Sequence, residues 1–411
     1  VNNPANNEGA RFDQLANVTE PDKYTVVFHL KKPYATFLEA FFSSCCANPS
    51  LLPKHLLAKY QNINNVPYND LPVGIGPFKF VRWDKEKQIV LVANPLYWRG
   101  RPKLDKIVYT IQTDREALLA DVGAHRVDLW YQFGGAYLDR IRALPGVAIL
   151  RHPSYGYSHF DFNLTHPVVR ELAVRQALRF ALDRKRIVDE LGHGVGVVQD
   201  SGLPITAPYF SDLGTTPYDP AQANALLDSA GWVRGDDGIR TKNGVKLDLA
   251  VAISSGQSDA DTELDMVKSD WAKIGVAIHI NHVSPALYFA PPQQGGIIFG
   301  DNSWDMVLFT WAADPYGDYS GNYGCNGFPP AGQNDVRWCN RTAQRAMDAF
   351  FGHYKQAERT ADDRIVWQEF VRDVPSIVAS LREDLFAYNS DLKNYRPNNI
   401  TPFDNMMNVD I

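Results

Sequence analysis

What the chain lacks narrows its function first. No apolar run approaches the roughly 18–20 residues that a bilayer-spanning helix needs. Positive charge is not in excess: 41 Lys and Arg against 47 Asp and Glu leave a net charge of −6, so no basic field draws in nucleic acid or anionic lipid. Cysteine is scarce. Cys45, Cys46, Cys325 and Cys339 are the 4 present, and none forms a Cys-x-x-Cys pair, which excludes a zinc ribbon or a thioredoxin motif. HExxH, GxxxxGK[ST], GxSxG and an EF-hand loop are also missing. The opening residues Val1-Asn2-Asn3-Pro4 carry neither an initiator Met nor a targeting pattern and read as the middle of something.

What is present is a globular chain long enough for two lobes: 411 residues, 45% hydrophobic and 21% charged. Aromatic residues make up 12%, a supply that suits the walls of a binding cleft, where rings exclude water and a few polar groups set orientation.

Local patterning predicts the elements. Tyr24–Leu30, Phe78–Val81 and Ile89–Val92 alternate as strands, with 84–87 as the turn between the last two. Phe37–Phe42 reads as a short buried helix. Ile107–Ile111, Val127–Trp130 and Val147–Leu150 read as strands, separated by helices over 114–122 and 136–143. That alternation argues for an α/β lobe. Leu172, Ala173, Ala177, Leu178, Ala181 and Leu182 share a helical face, and Arg170, Arg175, Arg179, Arg184 and Arg186 lie largely on others as a solvated surface. A helix over 220–230 ends at Gly231.

The most informative stretch is 247–315. Leu247–Ile253 is a strand. A helix follows, carrying Leu264, Val267, Trp271 and Ile274 on one side and ending at Gly275. Val276–Ile280 and Asp305–Trp311 are two more strands. Crossovers of this length favour parallel pairing, and ligands of open parallel sheets sit beyond the carboxyl ends of the strands. Two places qualify: Ser254-Ser255, and Trp311 to Asp314. Residues 314–341 form a long loop rich in Gly, Tyr, Asn and Pro, of the kind that is functional or stapled. A Cys325–Cys339 cross-link would limit its unfolded freedom, and the residues alone leave that pairing open. Cys45 and Cys46 read as two small buried residues. Helices return over 342–358 and 361–373, and 385–411 is a short apolar run followed by coil.

Catalytic signals are weak. Gly192–Gly196 follows a helix, the wrong context for a dinucleotide turn. His152 and His159, in what reads as two strands, make a poor metal pair. Asp236-Asp237 and Asp362-Asp363 read as solvated carboxylates in a turn and an early helix turn. A carboxylate-based hydrolase is disfavoured.

Five motifs in series resemble the solute-binding proteins, family 5, of bacterial peptide ABC importers. They are PVGIGPFKF (72–80) with VLVANPLYWRGRPKLDKI (90–107), VRQALRFALDRKRIV (174–188), YFSDLGTTPYDPAQANALLDSAGW (209–232), DWAKIGVAIHI (270–280) and DMVLFTWAADP (305–315). The resemblance implies a bilobed α/β periplasmic-binding-protein type II fold, with a first lobe at 1–163, a second at 164–383 and a return to the first at 384–411. It implies a receptor without catalysis or cofactor, monomeric, with no bound metal and no nucleic acid. Its partners would be a peptide or other small solute and the membrane permease. Its place would be the periplasm or the outer face of the cytoplasmic membrane. A sensor module, or a binder of a sugar or metal chelate, is the alternative.

The same resemblance assigns residues. In the peptide binders an Asp three residues after a Trp pairs with the ligand ammonium, which here means Trp311 and Asp314. Core packing for Trp311, and a cap or Asp-Pro turn for Asp314, are the plain structural alternatives. Tyr157 and His159, in the SYGYSHFDFN segment between lobes, are expected to face the cleft. Cys325 and Cys339 match a disulfide of dipeptide binders. Two departures stand out. The family's first strand and small extra domain, expected ahead of Tyr24, do not occur in this sequence, which therefore reads as part of a longer protein. The Arg that holds a dipeptide carboxylate is replaced by the run from Ser254 and Ser255 to Asp259, where backbone N–H groups at a helix start could substitute.

Overall fold

The computed structural model describes residues 14–42, 51–63, 65–300, 303–398 and 402–411. Cys45 and Cys46 lie outside the described residues. The chain divides into two compact units: Val1–His152 with Asp384–Ile411, and Pro153–Glu383.

Unit 1 is built from antiparallel pairs. β1 (Leu15–Asp22) and β2 (Thr25–Leu30) form a hairpin. β3 (Phe78–Asp84), β4 (Gln88–Ala93) and β5 (Lys106–Thr110) form a three-stranded meander. The short helix at Phe37–Phe42 forms, but Leu38 is exposed rather than buried as expected. α1 (Arg115–Gly123) starts where Asp114 accepts the N–H groups of Glu116 and Ala117, which caps the helix expected from 114. β6 (Leu129–Tyr131) and α2 (Leu138–Arg142) follow, around buried Trp130, Phe133 and Ile141. The strand–helix–strand alternation here does not make a parallel sheet. β5 stays with the meander, and β6 pairs antiparallel with residues 386–388.

β7 (Val147–Phe162) then runs 16 residues without a break. The sequence reads as two strands there, with Pro153 between. A proline's fixed φ suits extended backbone, and the strand passes through it.

Unit 2 holds a mixed sheet and its helices. α3 (Leu172–Phe180) and α4 (Pro220–Ser229) come first. A small sheet of β8 (Val233–Arg234), β9 (Arg240–Lys242) and β10 (Val245–Lys246) leads into β11 (Asp248–Ser254). α5 (Ser258–Ala272), β12 (Ala277–Val283) and β13 (Met306–Ala312) complete the predicted crossovers. α6 (Arg341–Phe350), α7 (Gln356–Asp373) and β14 (Ser376–Asn389) close the unit, β14 being far longer than the apolar run at its end announced. The strand order is β12-β11-β13-β7-β14. β11 is parallel to β12 and to β13, as the crossover lengths require, and β7 is antiparallel to β13.

Alternation gives this sheet two faces. Leu249, Val251, Ile253, Met306, Leu308, Phe160 and Phe162 point into the main core, against Val174, Leu178, Leu227, Leu264, Val267 and Trp271 of the helices. The Trp271 indole donates to the Leu178 carbonyl at 3.0 Å and ties α5 to α3. The other face carries Ala252, Val307 and Phe309, and is covered by Tyr288, Ile298 and Trp304.

The solvated reading of the α3 arginines needs correction. Arg175 is buried and donates to the carbonyls of Val169, Arg170, Asp373 and Val374 at 2.6–3.2 Å. It satisfies the carbonyls left over at the ends of neighbouring helices. Arg184 is buried in an ion pair with Asp200 at 2.6 Å. Asp362-Asp363 is likewise not a solvated pair. α7 begins at Gln356, so the two fall in its middle: Asp363 is buried and Asp362 accepts from His353 Nδ1 at 2.5 Å. Asp237 does sit in an exposed turn, paired with Lys246.

Candidate functional site

The second face of the β11–β13–β7 strands, the one that carries Ala252 and Phe309, gathers most of the expected site residues. β13 pairs with β7 so that Trp311 lies opposite Tyr157 and Phe309 opposite His159. Ser254, two residues beyond Ala252 on β11, falls on the same face. Trp311, His159, Tyr157 and Ser254 are thus brought to one side of one sheet, at the carboxyl ends of β11 and β13. Ser255 sits past the strand end, with its N–H and hydroxyl both donating to the Val283 carbonyl.

Their accessibilities differ. His159 is 0% exposed and Tyr157 3%. Tyr157 Oη meets Tyr323 Oη at 2.8 Å, and burial drives its phenol well above the usual range. His159 Nδ1 is 2.8 Å from Asp161 Oδ1, and its ring lies 4.4 Å from Phe309 and 5.0 Å from Tyr157. Trp311 is half-buried and stacks toward His159 with planes 14° apart. Its indole N–H is buried with no acceptor among the described residues. A buried donor left unpaired costs free energy, so an orphan at a strand end marks where a ligand oxygen would be welcome.

Asp314 follows directly. The Ala313 N–H donates to the Tyr155 carbonyl at 2.8 Å, which carries the β7 pairing one residue past the end of β13. Asp314 Oδ1 accepts the Tyr316 N–H at 2.7 Å, so the residue does form the Asp-Pro turn contemplated from the sequence. It remains half-buried, and its charge is felt by Tyr155 and Tyr319. Burial, then Tyr316 and Asp314, push the Tyr155 phenol up to about 12, so it stays a neutral hydroxyl beside the carboxylate.

The helix start after Ser255 is a poor anion site. α5 places Asp259 and Asp261 in its first turn, and they already complement the positive end of the helix dipole. A ligand carboxylate arriving there would meet like charge.

The long loop is stapled. Cys325 and Cys339 form a disulfide across 14 residues. Asn334, fully buried, donates to the carbonyls of Gly324 and Trp338 at 2.8 Å and accepts the Trp338 N–H, so one side chain organises the loop from inside.

Several polar residues of this region were not singled out in the sequence. Glu263 is 7% exposed; burial pushes its carboxyl up to about 7, and Ser158 Oγ donates to it at a long 3.5 Å. A signal existed. Glu263 stands at i, with Val267, Trp271 and Ile274 at i+4, i+8 and i+11, an acidic residue inside an apolar stripe. Asp161 continues the Tyr155, Tyr157, His159 alternation. Asp335 carried no local signal. Among the described residues no cluster of His, Cys, Asp and Glu is arranged to hold a metal ion, and no helix is long and apolar enough to cross a membrane.

Comparison with known proteins places this geometry. The fold is that of solute-binding proteins of bacterial transport. NikZ from Campylobacter jejuni, solved with Ni(L-His), superposes with a TM-score of 0.81 over 98% of this chain and 80% of its own, at 23% identity. The oligopeptide-binding protein AppA from Bacillus subtilis, solved with a nonapeptide, superposes at 0.77 over 98% and 79%, at 24% identity. The chain belongs to the bacterial extracellular solute-binding proteins, family 5, whose model (family 5 Middle) matches residues 1–330. Di/tripeptide-binding protein 1 of Pseudomonas aeruginosa is 26% identical over 353 residues, 85% of this chain and 61% of the relative. The chain spans about three fifths of the length of the first curated relatives it matches.

Proposed function

We propose that this chain is the receptor part of a bacterial ABC importer, capturing peptides outside the cytoplasmic membrane for a permease. The observation that carries the reading is Asp314: a half-buried carboxylate just past the carboxyl end of a sheet strand, three residues after an indole whose N–H lacks an acceptor. A peptide offers the matching pair, an ammonium for the carboxylate and a carbonyl for the indole. The charge-assisted bond strengthens as bound peptide displaces water. The Cys325–Cys339 disulfide fits an oxidising compartment. The chemistry at the site is binding; the Tyr155 and Tyr319 hydroxyls, which feel the Asp314 charge, orient a guest without exchanging protons at neutral pH.

The acidic start of α5, and the absence of an Arg there, leave a free peptide carboxylate unassisted at that end. This favours guests longer than a dipeptide, whose carboxylate lies elsewhere. Calorimetric titration of the full-length protein with di- to pentapeptides, and with the same peptides N-acetylated, tests the reading. Free-amine peptides are expected to bind, and acetylation or D314N to weaken them roughly 10- to 100-fold, the ~1.5–3 kcal/mol of a hydrogen bond to a charged group. Heat from a nickel–histidine chelate and from no peptide would replace this assignment with the chelate one.

A further inference from the structure

The disulfide-closed loop carries a carboxyl into the interior. Asp335 is 1% exposed and Asp161, on β7, is 0% exposed. The Leu164 N–H, just past β7, donates to the Val336 carbonyl at 3.2 Å, which sets the loop beside the end of the strand, and the Asp161 carboxyl acts directly on that of Asp335. Asp161 Oδ1 is taken by His159 Nδ1 at 2.8 Å, while Oδ2 of Asp161 and Oδ2 of Asp335 are both buried with no donor among the described residues. Among the described residues, phenols, one hydroxyl and one guanidinium surround the pair. Tyr157 on β7, Tyr323 in the short helix Ser320–Tyr323 and Tyr288 in the short helix Pro285–Tyr288 face the pair as neutral phenols. Ser376 on β14 reaches His159 at 3.3 Å. Arg337, on the loop itself, is half-buried and donates to the Asn334 and Asp335 carbonyls.

Two ionised carboxylates in contact without water repel strongly, and one proton between them gives both orphaned oxygens a partner. We propose that Asp161 and Asp335 share a single proton, that this bond latches the Cys325–Cys339 loop onto β7, and that it thereby positions His159 and the Trp311 ring stacked toward it. Asp335 and Asp161 are positioning residues: they touch no guest and act through His159. The last step rests on the peptide-binding reading; the shared proton and the latch do not.

The direction of the pH effect follows. Burial, and then Asp161, hold the Asp335 carboxyl well above the usual range. The folded state therefore keeps a proton that the unfolded chain releases above about pH 4. The latch is fully present below that pH and weakens as pH rises toward the folded value. D335N replaces the protonated acid with an amide that still donates to Asp161, so it mimics the latched state at every pH.

Infrared difference spectra of the full-length protein in deuterated buffer, wild type minus D335N at pH 7, test the proton. A protonated-carboxyl band present in wild type and lost in D335N is expected. The melting temperature of D335N is expected to fall less than that of wild type between pH 5 and 9. Peptide affinity should lose over the same range any pH dependence the wild type shows. D161N, which removes the same shared proton, carries the test should D335N not fold. No such band in the difference spectrum, or an unchanged melting slope, overturns the proposal. A band with wild-type affinity indifferent to pH and to D335N overturns the positioning step alone. Failure of wild type to bind any peptide overturns the peptide reading and leaves the spectrum to decide the latch.

Discussion

The hydroxyls of Tyr157 and Tyr323 meet at 2.8 Å, both rings buried, and this bond joins the inner strand β7 to the segment leading into the disulfide-closed loop. Tyr323 also packs edge-on to Phe370 at 5.0 Å and Trp367 at 6.2 Å, so the loop is seated on α7 by aromatic contacts as well as by the hydroxyl pair.

Removing either hydroxyl leaves the other buried without its partner. Y157F and Y323F are each expected to lower stability by about 1–3 kcal/mol, the cost of an unsatisfied buried group. The double variant should cost less than the sum, because no orphan remains. A double-mutant cycle from urea melts checks this, and strict additivity would show that the two hydroxyls are not coupled.

Glu263 makes the fold sensitive to pH. Its carboxyl titrates near 7 in the folded state because burial opposes charge, and near 4.5 when unfolded. Its raised value means the folded state binds the proton more tightly, so stability is full below about pH 4.5 and declines until pH 7 is passed. E263Q is expected to remove that decline, on the order of 3 kcal/mol. Denaturant midpoints at pH 4.5 and 8 in both proteins measure it, and equal losses in the two would place the pH dependence elsewhere.

The disulfide stabilises mainly through the unfolded chain. Closing a loop of this length is worth roughly 3 kcal/mol in the chain-entropy account. C325A/C339A should lower the melting midpoint accordingly, and dithiothreitol should do the same to wild type but not to the double variant. An identical drop in the double variant would show that the reagent acts on another bond.

Arg184 and Asp200 are both almost inaccessible and 2.6 Å apart. Asp200 also accepts from the Thr216 N–H and hydroxyl, while Arg184 reaches the carbonyls of Gln199, Thr216 and Val378. D200N is expected to cost about 3–5 kcal/mol, since it strands a buried guanidinium. Thermal melts of the full-length protein read this directly, and a loss under 1 kcal/mol would mean that the backbone carbonyls alone suffice for Arg184.

Periodicity made most elements legible. The run Leu247–Ile253, the stripe Leu264, Val267, Trp271, Ile274 and the alternation Val276, Ile278, Ile280 announced a parallel unit that forms where expected, because these residues bury against one another within a short span. The long strands β7 and β14 were read in pieces. Pro153 interrupts the apolar pattern of one, and in the other the polar residues Ser380, Arg382, Glu383 and Asp384 masked the strand ahead of Leu385. In the candidate site, Trp311, Tyr157 and Ser254 were named and do share a face. Asp335 and Glu263 were not, and Arg175 was placed on the wrong side of the helix.

What the amino-acid sequence determined by itself is the order of most elements, the two-sided pattern of most strands and the motif series. Those properties are local: each depends on residues a few positions apart, whose side chains must point to one face or another whatever surrounds them. Only the tertiary structure decided which polar groups are denied water. Whether Asp335 meets Asp161, or Arg175 meets the carbonyls of Asp373 and Val374, depends on segments some 170 and 200 residues apart folding against each other. Burial, and with it the price of a charge, belongs to the packed pair and to neither residue alone.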